Sequence, residues 1–353
     1  MSWSYAKAGV DVKKVKKTQN EIGKIIEETF KFRDNKFGQV LGKFGHYASL
    51  IDIGNGKALA LHSDGCGTKV LISQLVKKFD TIGIDCIAMC VNDLICLGAE
   101  PVALIDYLAV ETINENMINE IIKGLVEGAK TAKVSIVGGE TAVMPDVIKG
   151  VEPGLGFDLA ALCTGVVNKD KIIDGGDIKV GDVIIGLESS GVHSNGLTLA
   201  RRVLLDQGNL NLDGKPEGLD NTLGEELLRP TKIYVNEVLS IIKDFEVHGI
   251  AHITGGAFGK LKRFENYATV GFDFEINISK SIFDLIQKVG KITDEEMYKT
   301  FNMGIGICII VPKEIADDVV SASEKHDTKA FSIGKIVKEL GVRIRTDEKL
   351  LKI

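Results

Sequence analysis

Apolar residues recur along this chain with two different periods, and the switches between them divide it into short elements. Within 12–33, Val15, Ile22, Ile25, Ile26 and Phe30 fall at helical spacing with Lys and Glu between them, which predicts an amphipathic helix. Ile84, Ile87, Val91, Leu94 and Ile95 repeat the pattern over 84–97, and Gly98 and Pro101 mark its stop. A further helix is predicted over 114–131. Strands are predicted at 58–63, 102–110, 134–137 and 157–167, where apolar runs end at glycine, aspartate or asparagine.

A polar, turn-rich stretch at 172–182 (IIDGGDIKVGD) interrupts this order and is the best candidate for a domain boundary. Beyond it, strands are predicted at 183–187, 249–254 and 304–312, with closing strands near 329–346. Helices are predicted up to Arg201, from Thr231 to Lys243 behind Pro230, and over 313–325. The fold class that follows is mixed α/β in two domains, 1–170 and 171–353, each a mixed sheet flanked by helices. No internal repeat is evident.

Composition narrows the function classes. At 353 residues the chain has the length of about two domains. A net charge of −6 argues against a dedicated nucleic-acid surface or a polybasic membrane surface. No apolar run is long enough to span a bilayer, and the first residues lack a signal-peptide core, so a cytoplasmic location is expected. Six cysteines without a CxxC pair predict reduced core thiols, neither a disulfide scaffold nor a zinc site. Glycine stands at 39 against 6 prolines, an excess that suggests backbone closing on a ligand more than linkers.

Four times an apolar strand runs into glycine beside a carboxylate, hydroxyl or histidine: DGCGTK (64–69), GGET (138–141), SSGVHSNG (189–196) and HITGG (252–256). Turns at strand ends present free backbone N–H groups, and such groups bind phosphate oxygens. No P-loop, Rossmann GxGxxG, GxSxG or HExxH occurs, so a phosphate-handling enzyme here must use something other than a P-loop or Rossmann turn. His248 and His252, four apart in a strand context, lack a third metal ligand. Asp64, Asp93 and Glu140 are hard oxygen donors of the kind Mg2+ shares with substrate phosphates. Asp93 lies among Val91, Leu94 and Ile95; it occupies either the polar face of an amphipathic helix or a cleft that needs a cation.

The motifs YAKAGVD (5–11), SDGCGTK (63–69), CVNDLICLGAEPVALIDY (90–107), GGETAVMPD (138–146), FDLAA (157–161), SSGVHSNG (189–196), LLRPTKIY (227–234), AHITGGAF (251–258) and NMGIGI (302–307) together resemble the phosphoribosylformylglycinamidine cyclo-ligases, or AIR synthetases. DGxGTK, ND and GGET alone would resemble only the wider ATP-binding superfamily. The resemblance implies an AIR synthetase-like fold and ATP-dependent ring closure of formylglycinamidine ribonucleotide to aminoimidazole ribonucleotide in purine biosynthesis, releasing ADP and phosphate. It also implies a homodimer paired through its N-terminal sheets, with the ATP site near that interface.

Carried onto this sequence, ATP is expected on Asp64, Gly65, Gly67, Thr68, Lys69, Asn92, Asp93, Gly138, Gly139, Glu140 and Thr141, and Mg2+ on Asp64, Asp93 and Glu140. The ribonucleotide is expected on Ser190, His193, Ser194, Asn195, His252, Thr254, Gly255 and Gly256. Asp64, Asp93, His193 and Asn195 are the expected catalytic residues. Two alternatives stand beside these: Lys69 as a solvated helix-start lysine, and His193 with Asn195 as caps for the helix near Gly196. The chain departs from the family pattern at His46 and Tyr47, which replace glycine or small residues, and at Cys66, Val143 and Ala257.

Overall fold

The computed structural model describes residues 2–276, 281–346 and 349–353. Two sheets divide the chain. The first contains β1 (Val40–Leu41), β2 (Ser49–Asp52), β3 (Lys57–Gly65), β4 (Glu100–Val110), β5 (Ser135–Val143) and β6 (Phe157–Asn168), in the order β1-β2-β3-β6-β4-β5. Only β4 and β5 run parallel. A parallel pair needs a crossover, and α4 (Glu115–Ala132) supplies it.

The second sheet contains β7 (Val183–Glu188), β8 (Gly249–His252), β9 (Gly271–Glu275), β10 (Ile305–Val311), β11 (Ala330–Val337), β12 (Gly341–Arg345) and β13 (Leu350–Lys352). Their order is β13-β12-β9-β11-β7-β10-β8. The change of sheet falls between Asn168 and Val183, across the polar stretch at 172–182.

One face of the first sheet is covered by α3 (Ile82–Ile95), which packs on β3, β6 and α4. The helices meet almost backbone to backbone: a Cβ on Gly83 would lie 2.1 Å from the Leu125 nitrogen, and one on Gly124 would lie 2.2 Å from the Asp80 carbonyl oxygen. Glycine at both positions is what brings α3 and α4 so close. Among the described residues no helix or sheet is packed over the opposite face. Val102, Ile105, Tyr107 and Leu162 are exposed on it, and Val137 on the edge strand β5 is exposed as well.

Several elements differ from the periodicity. The expected helix over 12–33 stops as α1 (Val12–Glu27), capped by Asp11 onto the Lys14 amide, and Phe30–Arg33 tighten into a 3-10 turn. GGET belongs to β5 itself and forms no loop, because pairing with β4 continues through Val143. The helix expected from Thr231 begins only at Val235 as α7 (Val235–Asp244); Thr231 is held outside it by bonds from its amide and hydroxyl to Asp85. After α5 (Leu197–Arg201) the chain widens into a π turn at Arg202–Gln207. Strand β9 and the helices α8 (Ser281–Gly290) and α9 (Asp294–Thr300) had no counterpart in the pattern. Among the described residues, no helix is long and apolar enough to cross a membrane.

Candidate active site

The two halves are joined by a buried polar seam. Asp85 of α3 is fully buried, and its Oδ1 accepts from Lys69 Nζ at 2.9 Å, Ser194 Oγ at 3.1 Å, and the Thr231 amide and hydroxyl at 2.7 and 2.6 Å. Lys69 also donates to the Arg229 carbonyl at 2.7 Å. A buried carboxylate persists when it is paired and hydrogen-bonded, and here both halves supply the partners.

This arrangement corrects two expectations. Lys69 ends the DGCGTK motif, but it starts the helix α2 (Lys69–Val76) with its ammonium turned into the core, 0% exposed, neither toward a phosphate nor toward solvent. Asn92 likewise works as a brace: its side chain donates to the Lys232 carbonyl and accepts from the Tyr234 amide, which fixes the backbone ahead of α7.

Beside the seam lies a cleft of about 340 Å³, lined by Asp64, Gly65, Gly67, Met89, Asp158, Ala160, Ser194 and Asn195. DGCGTK thus faces SSGVHSNG across one space. Gly67 takes φ +57° beneath the Ser194 carbonyl, a conformation natural to glycine. Asp64 and Asp158 are the carboxylates on this cleft, each accepting from the amide that follows it. Asp158 was absent from the expected site, although it lies in the FDLAA motif; nothing in its spacing marked it as facing Asp64.

Asp93 takes neither of the two places expected of it: it is buried, off the solvent face of α3, and it is not among the residues lining the cleft. Its Oδ1 accepts from His252 Nδ1 at 2.7 Å and its Oδ2 lies 3.4 Å from His62 Nε2, which is itself 3.8 Å from Asp64. Burial would raise the Asp93 pKa, but Lys260, His252 and His62 together hold it well below the ordinary carboxylate value. His252, fully buried, is pushed down by burial against the opposing pull of Asp93. The two carboxylates are therefore linked through His62, a residue that the motifs did not single out.

Glu140 does not join them in this chain. It lies in one cross-sheet row with Tyr107, Ala160 and Gly65, three strands away, which is roughly 14 Å at the usual strand spacing. Gly138, Gly139, Glu140 and Thr141 are exposed on the edge strand. Among the described residues no group of three His, Cys, Asp or Glu side chains could hold a metal, so the expected Asp64–Asp93–Glu140 triad is not assembled within one chain.

The remaining residues sort by loop. His193 has φ +63° and is buried, with its Nε2 accepting from the Ser190 amide at 3.1 Å, while Ser190 Oγ donates to the Pro230 carbonyl. The N-cap of α5 is Gly196, and no side chain caps it, so the capping alternative for His193 and Asn195 finds no bond. Asn195 Oδ1 lies against Gly255, which brings the HITGG turn to the same cleft. Thr254 is buried and accepts from Lys260, and Gly256 takes φ +84°. Ala257 keeps a left-handed φ of +43°, the conformation that glycine adopts freely. Thr68 Oγ1 pairs with Thr198 Oγ1 at 2.8 Å.

All six cysteines are free and buried. Burial raises the Cys66 thiol and pushes Cys163 up to about 12, so neither is a thiolate near neutrality. His248 is occupied by Asp182 at 2.7 Å and Glu246 at 2.8 Å and has no part in the cleft.

The chain matches the family description "AIR synthase related protein" with its N-terminal domain over residues 45–167 and its C-terminal domain over 179–347. A phosphoribosylformylglycinamidine cyclo-ligase of Pyrococcus horikoshii is 49% identical over 95% of this chain and 96% of its own length. One of Methanocaldococcus jannaschii is 48% identical over 96% and 93%. Among solved structures, a thiamine-monophosphate kinase of Stenotrophomonas maltophilia covers 90% of this chain and 94% of itself at TM-score 0.60 and 19% identity. The Escherichia coli hydrogenase maturation protein HypE covers 84% of each chain at TM-score 0.61 and 19% identity. Phosphoribosylformylglycinamidine synthase II of Thermotoga maritima aligns with 88% of this chain at TM-score 0.59 and 14% identity; this chain spans 46% of that protein. At these identities the structures speak for the fold alone.

Proposed function

The chain belongs to the phosphoribosylformylglycinamidine cyclo-ligase family, and from that premise we propose how its cleft closes the imidazole ring of formylglycinamidine ribonucleotide at the expense of ATP. A formamide oxygen leaves poorly. Transfer of the γ-phosphoryl group to that oxygen makes it a phosphate leaving group; the amidine nitrogen then attacks the formyl carbon, the C–O bond breaks, and a proton is lost from nitrogen. The products are aminoimidazole ribonucleotide, ADP and phosphate. Phosphoryl transfer depends on alignment and charge neutralisation more than on a protein nucleophile. The buried, protonated thiols are consistent with that.

The observation that carries this reading is the meeting of DGCGTK with Ser194 and Asn195 across one cleft, with HITGG beside it. Asp64 and Asp158 suit Mg2+, which binds through one or two carboxylates and keeps its waters and the phosphates as remaining ligands. When bound, the ion would neutralise phosphate charge. Asp93 fixes His252, and His62 stands between the Asp93 and Asp64 carboxylates. Gly65 and Gly67 let the backbone approach the triphosphate, and His193 and Asn195 orient the ribonucleotide.

The bare sheet face and the exposed edge strand β5 suit pairing with a second copy, and we place Glu140 and its GGET neighbours at the partner's ATP site in such a homodimer. The reaction belongs in the cytoplasm, with the rest of purine synthesis. ADP release strictly dependent on formylglycinamidine ribonucleotide tests the reaction. Asn195→Ala and His193→Ala are expected to raise KM for the ribonucleotide or lower kcat, with ATP affinity barely altered. ATP hydrolysis without ring closure, or selective loss of ATP binding in these variants, would overturn the assignment.

A further inference from the structure

Tyr47 lines no part of the cleft described above. It is 1% exposed, and its hydroxyl has no hydrogen-bond partner among the described residues. A buried phenol ordinarily finds one. Two cations face its ring: Lys260 Nζ lies 5.5 Å from the centroid and the Arg263 guanidinium 4.7 Å. Both come from the 3-10 turn Ala257–Asn266, where side chains three apart stand on one side.

Lys260 and Arg263 are half-buried, so a solute can reach them. Neither lies within 4 Å of a carboxylate among the described residues. Asp93 is the main balancing charge felt by Lys260, but no carboxylate is in ion-pair contact with either cation, so two like charges stand together with donors left for an anion. Lys260 also donates to Thr254, which ties the pair to HITGG, and a Cβ added at Gly256 would meet nothing within 4 Å, so the space before that turn is open.

The geometry points to a phosphomonoester site at this turn, in which Arg263 and Lys260 receive the 5′-phosphate of the ribonucleotide and the Tyr47 hydroxyl closes it from the N-terminal half. Arg263 offers a fork of donors to two phosphate oxygens, Lys260 a point charge, and Tyr47 one O–H donor. The site rests on the reaction proposed above for the identity of its ligand. Its three residues are not among those lining the cleft of Asp64 and Asp158, and Thr254 ties it to the HITGG turn beside that cleft, which leaves room for ATP and the monoester side by side.

The test uses ribose 5-phosphate as the probe on the full chain, with calorimetric titration and thermal shift at constant ionic strength. Wild type is expected to bind it. Arg263→Met and Lys260→Met should each weaken binding at least about tenfold, and Tyr47→Phe about threefold with an unchanged Tm. Lys260→Arg, which keeps the charge, should retain most of the binding, and Arg263→Lys, which keeps the charge but loses the fork, should lose less than Arg263→Met; both guard against a folding defect. A non-hydrolysable ATP analogue should not displace the probe. Equal affinity in the Met variants, or displacement by the ATP analogue, overturns the site. These readouts do not use turnover. Loss of probe binding in the variants beside an inactive wild type would refute the reaction while sparing the site; full wild-type turnover with unaltered probe binding would do the reverse.

Discussion

The two sheets of this chain are built from similar aliphatic sequence, yet they end in opposite conditions. In the second sheet every residue of β10 is buried, and β7 and β8 flank it on both sides. In the first, α3 and α4 cover one face, while Val102, Ile105, Tyr107 and Leu162 on the other face remain exposed to solvent. Alternation along β4 and β6 thus separates a buried side from an exposed side on which several residues are also apolar. A closed sheet is a finished core; a half-covered apolar sheet is a surface that lowers its free energy by meeting another.

The largest expected effect separates these two conditions directly. Ile309→Lys places an unpaired charge in the closed sheet, at a cost of several kcal/mol against a total stability of about 5–15 kcal/mol, and should prevent folding. Ile105→Lys places the same charge on the bare face and should fold. Light scattering should then fall from twice 38.2 kDa to 38.2 kDa, with loss of activity. An Ile105→Lys protein that keeps the dimer mass would break the contrast.

Next in size is the seam between the regions. Lys69→Met leaves Asp85 buried without its cation and is expected to cost about 3–5 kcal/mol, read as a lower denaturation midpoint. A lysine that served only ATP would leave the midpoint unchanged and raise the KM for ATP.

Smaller losses are expected from the carboxylates. Asp64→Asn and Asp93→Asn should each cut turnover at least about tenfold, or ~1.4 kcal/mol. Glu140→Gln should do likewise if it serves the partner's cleft. Mixing inactive Asp64→Asn and Glu140→Gln chains should then restore on the order of a quarter of wild-type turnover through mixed dimers with one intact site. No recovery on mixing would confine Glu140 to its own chain.

The smallest effect lies within the finished half. His248 is held above its ordinary pKa: burial lowers it, but bonds to Asp182 and Glu246 outweigh that. A folded-state pKa raised above the unfolded one stabilises most below the unfolded value, near 6.5, and that contribution is lost as pH rises through the folded value. The Tm of wild type should therefore fall slightly from pH 6 to pH 8 relative to His248→Gln. Parallel profiles would remove the ion pair from the stability of this region.

Much of the site was legible in the primary structure because glycine beside a polar residue at a strand end has few structural uses. Asp64, Gly65, Gly67, Ser194 and Asn195 were marked in that way and line one cleft. Lys69 and Asn92 misled because a motif records which residue is needed and not what it touches; both brace the join between the halves. Asp158, His62, Lys260 and Arg263 carried no local signal. Their neighbours are distant in sequence: 31 residues separate His62 from Asp93, and Tyr47 meets Arg263 from the opposite end of the chain.

The sequence by itself determined many of the strands and helices and the family, since periodicity and turn chemistry are local and the motifs are contiguous. Only the tertiary structure decided which carboxylates share a cleft, that Lys69 is a buried counter-ion and that one sheet face is left bare. The physical reason is that burial and pairing are properties of packed surfaces, and a residue 0% exposed differs from one free in solvent only through residues that the chain brings to it from elsewhere.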